Sequence, residues 1–324
     1  MVKNRMKVVV TDYDYPSLDL ERKVLAAIDP EFVGAQCTTE EEVITAARDA
    51  DGILNQYAPI TERVIKSLDR CKVICRYGVG VDSIDVEAAT DRGIIVANVP
   101  DYCVDEVSTH AVALILACAR KVPYLSGTAK KGKWDFTVGK PIFRSQGRVL
   151  GLFGLGRIAK AVVRKAKGFD FQITAYDPYI SEANEKVELV SFSELLSKSD
   201  FVSIHAPLTE ETKHAFGKAE FKAMKKDAYL INTARGAIVD EFALYQALKE
   251  GWIAGAALDV MEKEPPDSNN PLLKLDNVII TPHISYYSEE SYAELKTKAA
   301  QAVLDVLKGE LPKAIVNPQV VKER

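Results

Sequence analysis

The chain has 324 residues, 47% apolar and 27% charged, enough for two ordinary soluble domains with their own cores. Its 42 basic and 46 acidic residues give a formal charge of −4 without any basic block interleaved with aromatics, so no nucleic-acid groove is expected. The longest apolar stretch, Ala111 to Ala119, is far short of the roughly 20 residues that span a membrane, and Met1-Val2-Lys3-Asn4-Arg5 is no signal-peptide core; a cytoplasmic chain with no membrane partner is expected.

The first hundred residues alternate between two periods. Strand-like runs at Lys7–Thr11, Phe32–Ala35, Gly52–Leu54, Lys72–Arg76 and Ile94–Asn98 are separated by helical runs at Leu18–Ile28, Thr39–Arg48, Thr61–Leu68 and Val86–Arg92. Repeated βα units predict a parallel sheet covered on both faces. Cys103–Lys121 is a long helical pattern ending before Pro123. The polar stretch Gly127–Gln146, with Trp134 and Phe136, is too long for a plain connection. It is read as an arm packing on another subunit or across two domains, or as an excursion over the chain's own surface. The five cysteines (Cys37, Cys71, Cys75, Cys103, Cys118) are odd in number and lack C-x-x-C spacing, so reduced core thiols rather than a metal site are expected.

At Val149 a short apolar run leads into Gly154-Leu155-Gly156-Arg157-Ile158-Ala159, and a helical pattern starts at once. Gly154 suits a tight turn, Gly156 allows close approach of a pyrophosphate, and Ala159 is small enough for the helix to pack on the strand. The helix start offers unpaired N–H groups to phosphates. A second strand, Gln172–Asp177, ends in an acid 21 residues after Gly156, the expected place for the carboxylate that holds the adenosine ribose. That acid repels a 2′-phosphate, and Pro178 follows where an arginine would serve one, so NAD is the expected cofactor rather than NADP. Further units follow: helix Ser191–Lys198, strand Asp200–Ala206, a short segment Phe221–Lys225, strand Ala228–Thr233, helix Glu241–Glu250, and strands Ala254–Val260 and Asn277–Thr281. The long helix Ser288–Gly309 follows a sheet that has just closed, and is assigned back to the first domain.

The fold expected is therefore α/β, with two doubly wound parallel-sheet (Rossmann-like) domains. A dinucleotide-binding domain at 102–287 is inserted into a discontinuous, flavodoxin-like substrate domain made of 1–101 and 288–324, with the chemistry in the cleft between them.

Three polar groups fall at the carboxyl ends of strands in the second half, the edge where open α/β sheets bind ligands. They are Arg235, Glu264 and His283. Hydride transfer to a 2-oxo acid needs a proton donor, a cation for the carboxylate, and a partner that orients the donor. An imidazole suits the first task, a guanidinium fork the second, and a carboxylate the third. Charge alone leaves the roles open, and each residue has a plainer reading: a helix-capping or backbone-satisfying histidine, a solvated loop acid, a turn-capping arginine. Of the other histidines, His205 is read as shaping the cofactor loop, His110 as structural and His214 as solvent-exposed.

With these residues in hand, the chain resembles the NAD-dependent D-2-hydroxyacid dehydrogenases over nearly its full length. The matching stretches include Arg76-Tyr77-Gly78-Val79-Gly80-Val81-Asp82, Gly151 to Ile158, Tyr176-Asp177-Pro178, His205-Ala206-Pro207-Leu208-Thr209, Asn232-Thr233-Ala234-Arg235-Gly236, Ala257-Leu258-Asp259-Val260, Glu264-Pro265 and Thr281-Pro282-His283. The resemblance implies Arg235 for substrate binding, Glu264 as the histidine's partner and His283 as proton donor. It implies that Asp259 holds the nicotinamide amide. It also implies that Thr233, Ala234, Ala206, Pro207 and Thr212 line the cofactor, and that the backbone at Gly78-Val79-Gly80, beside Tyr77, binds the substrate carboxylate.

Within the family the chain is similar to the branch that includes the C-terminal binding protein corepressors, where a tryptophan stands in place of Tyr286. Tyr286 would then be an aromatic wall of the pocket. Phosphoglycerate dehydrogenases are the other near branch, but Asn55-Gln56-Tyr57-Ala58 holds no cation for a phosphate, and with Arg324 as the last residue no appended regulatory domain is expected. The expectation is an enzyme acting on a small unphosphorylated 2-oxo or D-2-hydroxy acid, as a homodimer. The alternatives are an NAD(H)-sensing, corepressor-like interaction protein with weak catalysis, or a D-3-phosphoglycerate dehydrogenase.

Overall fold

The computed structural model describes residues 5–182 and 187–322; the Met1-Val2-Lys3-Asn4 start and Arg324 lie outside them. The chain divides into two compact units, one ending at Cys103 and resuming at Ser288, the other Val104–Tyr287. In chain order the first unit contains β1 (Lys7–Val10), α1 (Asp19–Leu25), β2 (Glu31–Gly34), α2 (Glu40–Ala47), β3 (Gly52–Asn55), α3 (Glu62–Ser67), β4 (Val73–Arg76), α4 (Val86–Asp91) and β5 (Ile95–Ala97). The second contains α5 (Val104–Arg120), α6 (Val122–Lys130), β6 (Val149–Phe153), α7 (Arg157–Ala166), β7 (Gln172–Tyr176), β8 (Glu188–Leu189), α8 (Phe192–Lys198), β9 (Phe201–Ile204), α9 (Lys218–Ala223), β10 (Tyr229–Asn232), α10 (Glu241–Glu250), β11 (Gly255–Leu258) and β12 (Val278–Ile280). The chain then returns to the first unit as α11 (Glu289–Lys308) and α12 (Gln319–Lys322).

The first unit is a five-stranded parallel sheet in the order β2-β1-β3-β4-β5. Apart from edge strand β2, whose Glu31 and Gly34 are exposed, its strands are largely apolar and buried: Val9, Ile53, Ile74 and Val96 are wholly buried, as a sheet covered on both sides requires. Helix α11 packs on α1, β3 and β4. It is capped by Ser288 at its start and by Gly309 (φ 86°) at its end. Beyond it, buried Asn317 accepts from Val96 N–H at 2.8 Å and donates to Ile94 O at 2.9 Å, tying the C-terminal segment to β5.

The second unit is a seven-stranded parallel sheet in the order β12-β11-β10-β9-β6-β7-β8. Strand order reverses at β6, flanked by β7 and β9, so the turn after β6 stands at the topological switch point, where such sheets bind nucleotides.

The segment expected as a single polar arm is different in part. Lys121 takes a left-handed conformation (φ 50°) that ends α5, and Pro123 then sits in the first turn of α6, where its missing N–H is harmless. After α6 come a single 3-10 turn at Phe136–Gly139 and the exposed rings of Trp134 and Phe136, 94% and 76% accessible. Among the described residues no helix is long and apolar enough to cross a membrane, and no cluster of histidine, cysteine and acidic side chains could hold a metal. The cysteines are free thiols, and burial pushes those of Cys71, Cys75 and Cys118 up to about 12, which leaves them unreactive.

Candidate active site

The turn after β6 is built as its residues suggested. Gly154 has φ 92°, and a Cβ there would lie 2.9 Å from Ala206 N and 3.0 Å from His205 C, so a side chain is excluded by both conformation and neighbours. Gly156 is the N-cap of α7 and has no side chain to bond the helix's first N–H groups, while Ala159 is wholly buried against the sheet. No acid stands in the first turn of α7, so the donors from Arg157 and Ile158 on would meet an anion unopposed. Asp177 accepts from Leu155 N–H at 2.9 Å and from Tyr179 N–H at 3.0 Å, which fixes its carboxylate beside the turn.

Along the same sheet edge, β9 leads to His205, Ala206 and Pro207. His205 meets Ser203 Oγ at 2.9 Å, and desolvation holds its imidazole at about 4, so it is neutral in the folded protein and unsuited to proton delivery near neutral pH. Thr212 donates to Pro207 O at 2.7 Å and accepts from Thr209 N–H at 2.8 Å; its hydroxyl shapes this loop from within. After β10, Asn232 accepts from Ala234 N–H and donates to Arg235 O, fixing the strand end. Thr233 between them is buried, and its Oγ1 has no hydrogen-bond partner among the described residues. A buried orphan hydroxyl at this edge, with the bare N–H groups of the helix start and the ribose-type acid as acceptor, is a set of polar groups that fits a dinucleotide.

The three reactive candidates come together at the ends of β10, β11 and β12. His283 Nδ1 lies 2.6 Å from Glu264 Oε2, and Glu264 Oε1 accepts from Met261 N–H at 2.9 Å. Burial works to raise the Glu264 carboxyl, but His283, the Met261 amide and Arg235 outweigh it and hold it below the usual carboxylate range. Arg235 donates from Nη1 to Ala234 O at 2.8 Å. The next residue, Gly236, is pressed against the Glu264 loop: a Cβ there would lie 1.9 Å from Met261 C. Tyr286 stands edge-on to His283 with ring centroids 6.1 Å apart.

His283 has φ 51°, a conformation non-glycine residues adopt only under constraint. Asp259 supplies the constraint. Its carbonyl accepts His283 N–H at 2.8 Å. Its carboxylate accepts Thr281 Oγ1 at 2.6 Å, Ile284 N–H at 3.0 Å and Ser285 N–H at 2.9 Å. His110 Nε2 adds a contact to Thr281 Oγ1 at 3.1 Å. Sequence reasoning gave Asp259 a cofactor role and His110 none beyond structure; here both hold the turn that carries His283. His214 is exposed as expected, but it bonds Glu262 at 2.8 Å.

In the first unit, Tyr77–Gly80 follows β4. Tyr77 N–H donates to Asn55 O, the Gly78 carbonyl accepts Val99 N–H, and the Val79 carbonyl accepts Asn98 Nδ2. Among the described residues no acceptor meets the N–H groups of Val79 and Gly80. The Asn55–Ala58 loop itself holds no cation, but the neighbouring strand supplies one. Arg76, from the next strand, lies against Gly78 and places its guanidinium 5.8 Å from the Tyr57 ring centroid. The loop's own residues gave no sign of it, because the cation comes from a neighbouring strand.

Residues 112–285 match the family model described as "D-isomer specific 2-hydroxyacid dehydrogenase, NAD binding domain". The chain is similar to the D-3-phosphoglycerate dehydrogenase of Methanocaldococcus jannaschii, 44% identical over 98% of this chain, which spans 61% of that protein's length. It is also similar to the glyoxylate reductase of Korarchaeum cryptofilum, 41% identical over 88% of both chains. Among solved structures it resembles Aquifex aeolicus D-lactate dehydrogenase complexed with NAD and lactic acid, with a TM-score of 0.86 at 29% identity, covering 96% of this chain and 99% of that one.

Proposed function

The chain belongs to the D-isomer-specific 2-hydroxyacid dehydrogenases, and from that premise we propose that it interconverts a small unphosphorylated 2-oxo acid and its D-2-hydroxy acid with NAD(H). The observation that carries this reading is the 2.6 Å contact of His283 with Glu264 at the strand edge that also bears Arg235. With Nδ1 held by Glu264, Nε2 is the nitrogen that delivers a proton to the keto oxygen. The carboxylate fixes the orientation of the ring. Arg235 binds the substrate carboxylate and polarises the carbonyl. In the first unit the N–H groups of Val79 and Gly80, with Tyr77 and Gly78, are assigned to the substrate carboxylate, and in the second unit Tyr286 is assigned to the pocket wall beside His283. When bound, the nicotinamide supplies the hydride in reduction and accepts it in oxidation. Gly154, Gly156, Arg157, Ile158, Asp177, Ala206, Pro207, Thr233, Ala234 and Asp259 would hold that cofactor, with Thr212 supporting the loop.

The test is NADH oxidation screened over glyoxylate, hydroxypyruvate, pyruvate and phosphohydroxypyruvate. Turnover on one of the first three supports the reading; none on any 2-oxo acid, with NADH bound, overturns it. Arg76 beside Tyr57 favours a second reading, a phosphoglycerate dehydrogenase. That reading predicts preference for phosphohydroxypyruvate and its selective loss in Arg76→Met. We also assign a homodimer, on the exposure of Trp134 and Phe136 in the segment after α6.

A further inference from the structure

Behind the Tyr77–Gly80 turn the first unit buries an ion pair. Glu21 on α1 is 0% exposed and Lys296 on α11 is 6% exposed, with Nζ 3.7 Å from Glu21 Oε2. Replacing such a pair by apolar side chains of similar size is often neutral or stabilising, so stability alone does not account for it. What the pair does is visible in its other contacts. Tyr77 donates its hydroxyl to Glu21 Oε1 at 3.1 Å. Lys296 donates to Ser17 O at 2.5 Å and lies 5.0 Å from the Tyr15 ring centroid. Tyr15 packs edge-on against Tyr77 at 5.2 Å. The Tyr77 ring is thus clamped at its tip by a carboxylate and along its side by an aromatic, with the Lys296 ammonium 3.7 Å from the other carboxylate oxygen, which has no hydrogen-bond partner among the described residues.

We propose that Glu21, secured by Lys296, is a positioning residue for the substrate-binding turn, acting through the Tyr77 hydroxyl on the N–H groups of Val79 and Gly80. This rests on the reading that the turn binds the substrate carboxylate. Tyr77 begins the turn, and Gly78 follows directly at φ 144°, a backbone region that glycine favours, so the placement of the Tyr77 ring bears on the residues that follow it. A misdirected N–H pair weakens substrate binding and leaves dinucleotide binding in the other unit unchanged.

Removing one charge alone would strand the other, so the test uses paired substitutions in the full-length protein. Glu21→Gln with Lys296→Met keeps an oxygen for Tyr77 and removes both charges. Glu21→Leu with Lys296→Met removes the acceptor as well, and Tyr77→Phe removes the donor. The KM for the 2-oxo acid should rise roughly 3- to 10-fold in the Leu/Met pair and in Tyr77→Phe, as loss of one buried hydrogen bond implies. It should stay within about twofold in the Gln/Met pair, and the NADH dissociation constant should not move in any of them. Amide hydrogen exchange of residues 76–82, which needs no substrate, should quicken in the Leu/Met pair and Tyr77→Phe only. Equal KM and exchange across all variants would overturn the proposal, as would a rise in KM matched by the same loss of NADH affinity. If the wild type turned over no 2-oxo acid while the exchange pattern held, the functional reading would fail and the positioning role would stand.

Discussion

His283 illustrates how much surrounding structure one side chain needs. Its left-handed backbone would be strained in isolation, and the bonds of Asp259 to Thr281, Ile284 and Ser285 make that conformation the one the turn adopts. Thr281→Val removes one of those bonds while keeping the shape, and should cost about 1 kcal/mol of stability in denaturant unfolding together with a lowered kcat. Glu264→Gln keeps the shape but removes the charged acceptor of the 2.6 Å contact with His283, so kcat for 2-oxo acid reduction should fall roughly 10-fold, as loss of a charge-assisted hydrogen bond implies. An unchanged kcat would show that Glu264 does not position the imidazole. His205 gives a stability prediction with a definite sign. Its imidazole ionises at about 4 in the folded protein against 6.5 ordinarily, so between those values the unfolded chain binds the extra proton. That contribution is whole above pH 6.5 and drains away as pH falls towards 4. In His205→Gln the dependence of unfolding free energy on pH across this window should be shallower, by up to about 1.4 kcal/mol per pH unit.

At the scale of elements, the site depends on two loops pressed together. Gly236 allows the Arg235 strand end to lie on the backbone of Met261 and Glu262, and that backbone has no rotamer with which to yield. Gly236→Ala should therefore destabilise by about 1–3 kcal/mol and lower kcat/KM by moving Arg235 away from Glu264; a variant with wild-type kinetics would mean the contact is not needed. The βα alternation was legible because strands covered on both faces are continuous apolar runs, and the fingerprint at Gly154–Ala159 announces its turn in its own residues. Helix α6 was not legible. Its start depends on Lys121 taking a left-handed conformation, which a lysine gives no hint of, and Pro123 marks a helix start as readily as a stop.

For the whole molecule, the division at Cys103 and Ser288 follows from a helix that arrives after its neighbouring sheet is complete. The identities of Arg235, Glu264 and His283 could be picked out one by one; their meeting, and the buried support from Asp259, depends on strand order. Arg76 beside Tyr57 and Glu21 beneath Tyr77 were invisible for the same reason, since partners far apart in the chain leave no local spacing to read. The exposed Trp134 and Phe136 rings belong to this scale too. A homodimer using that segment predicts that Trp134→Asp shifts sedimentation velocity from dimer to monomer, and a monomeric wild type would contradict it.

The central claim is that the imidazole held by Glu264 transfers the proton. Its most direct measurement is the single-turnover rate of NADH oxidation by His283→Ala on the best 2-oxo acid, with the NADH dissociation constant measured alongside. A fall of ~100-fold or more at unchanged NADH affinity is the predicted result. A rate within a few fold of wild type would contradict it.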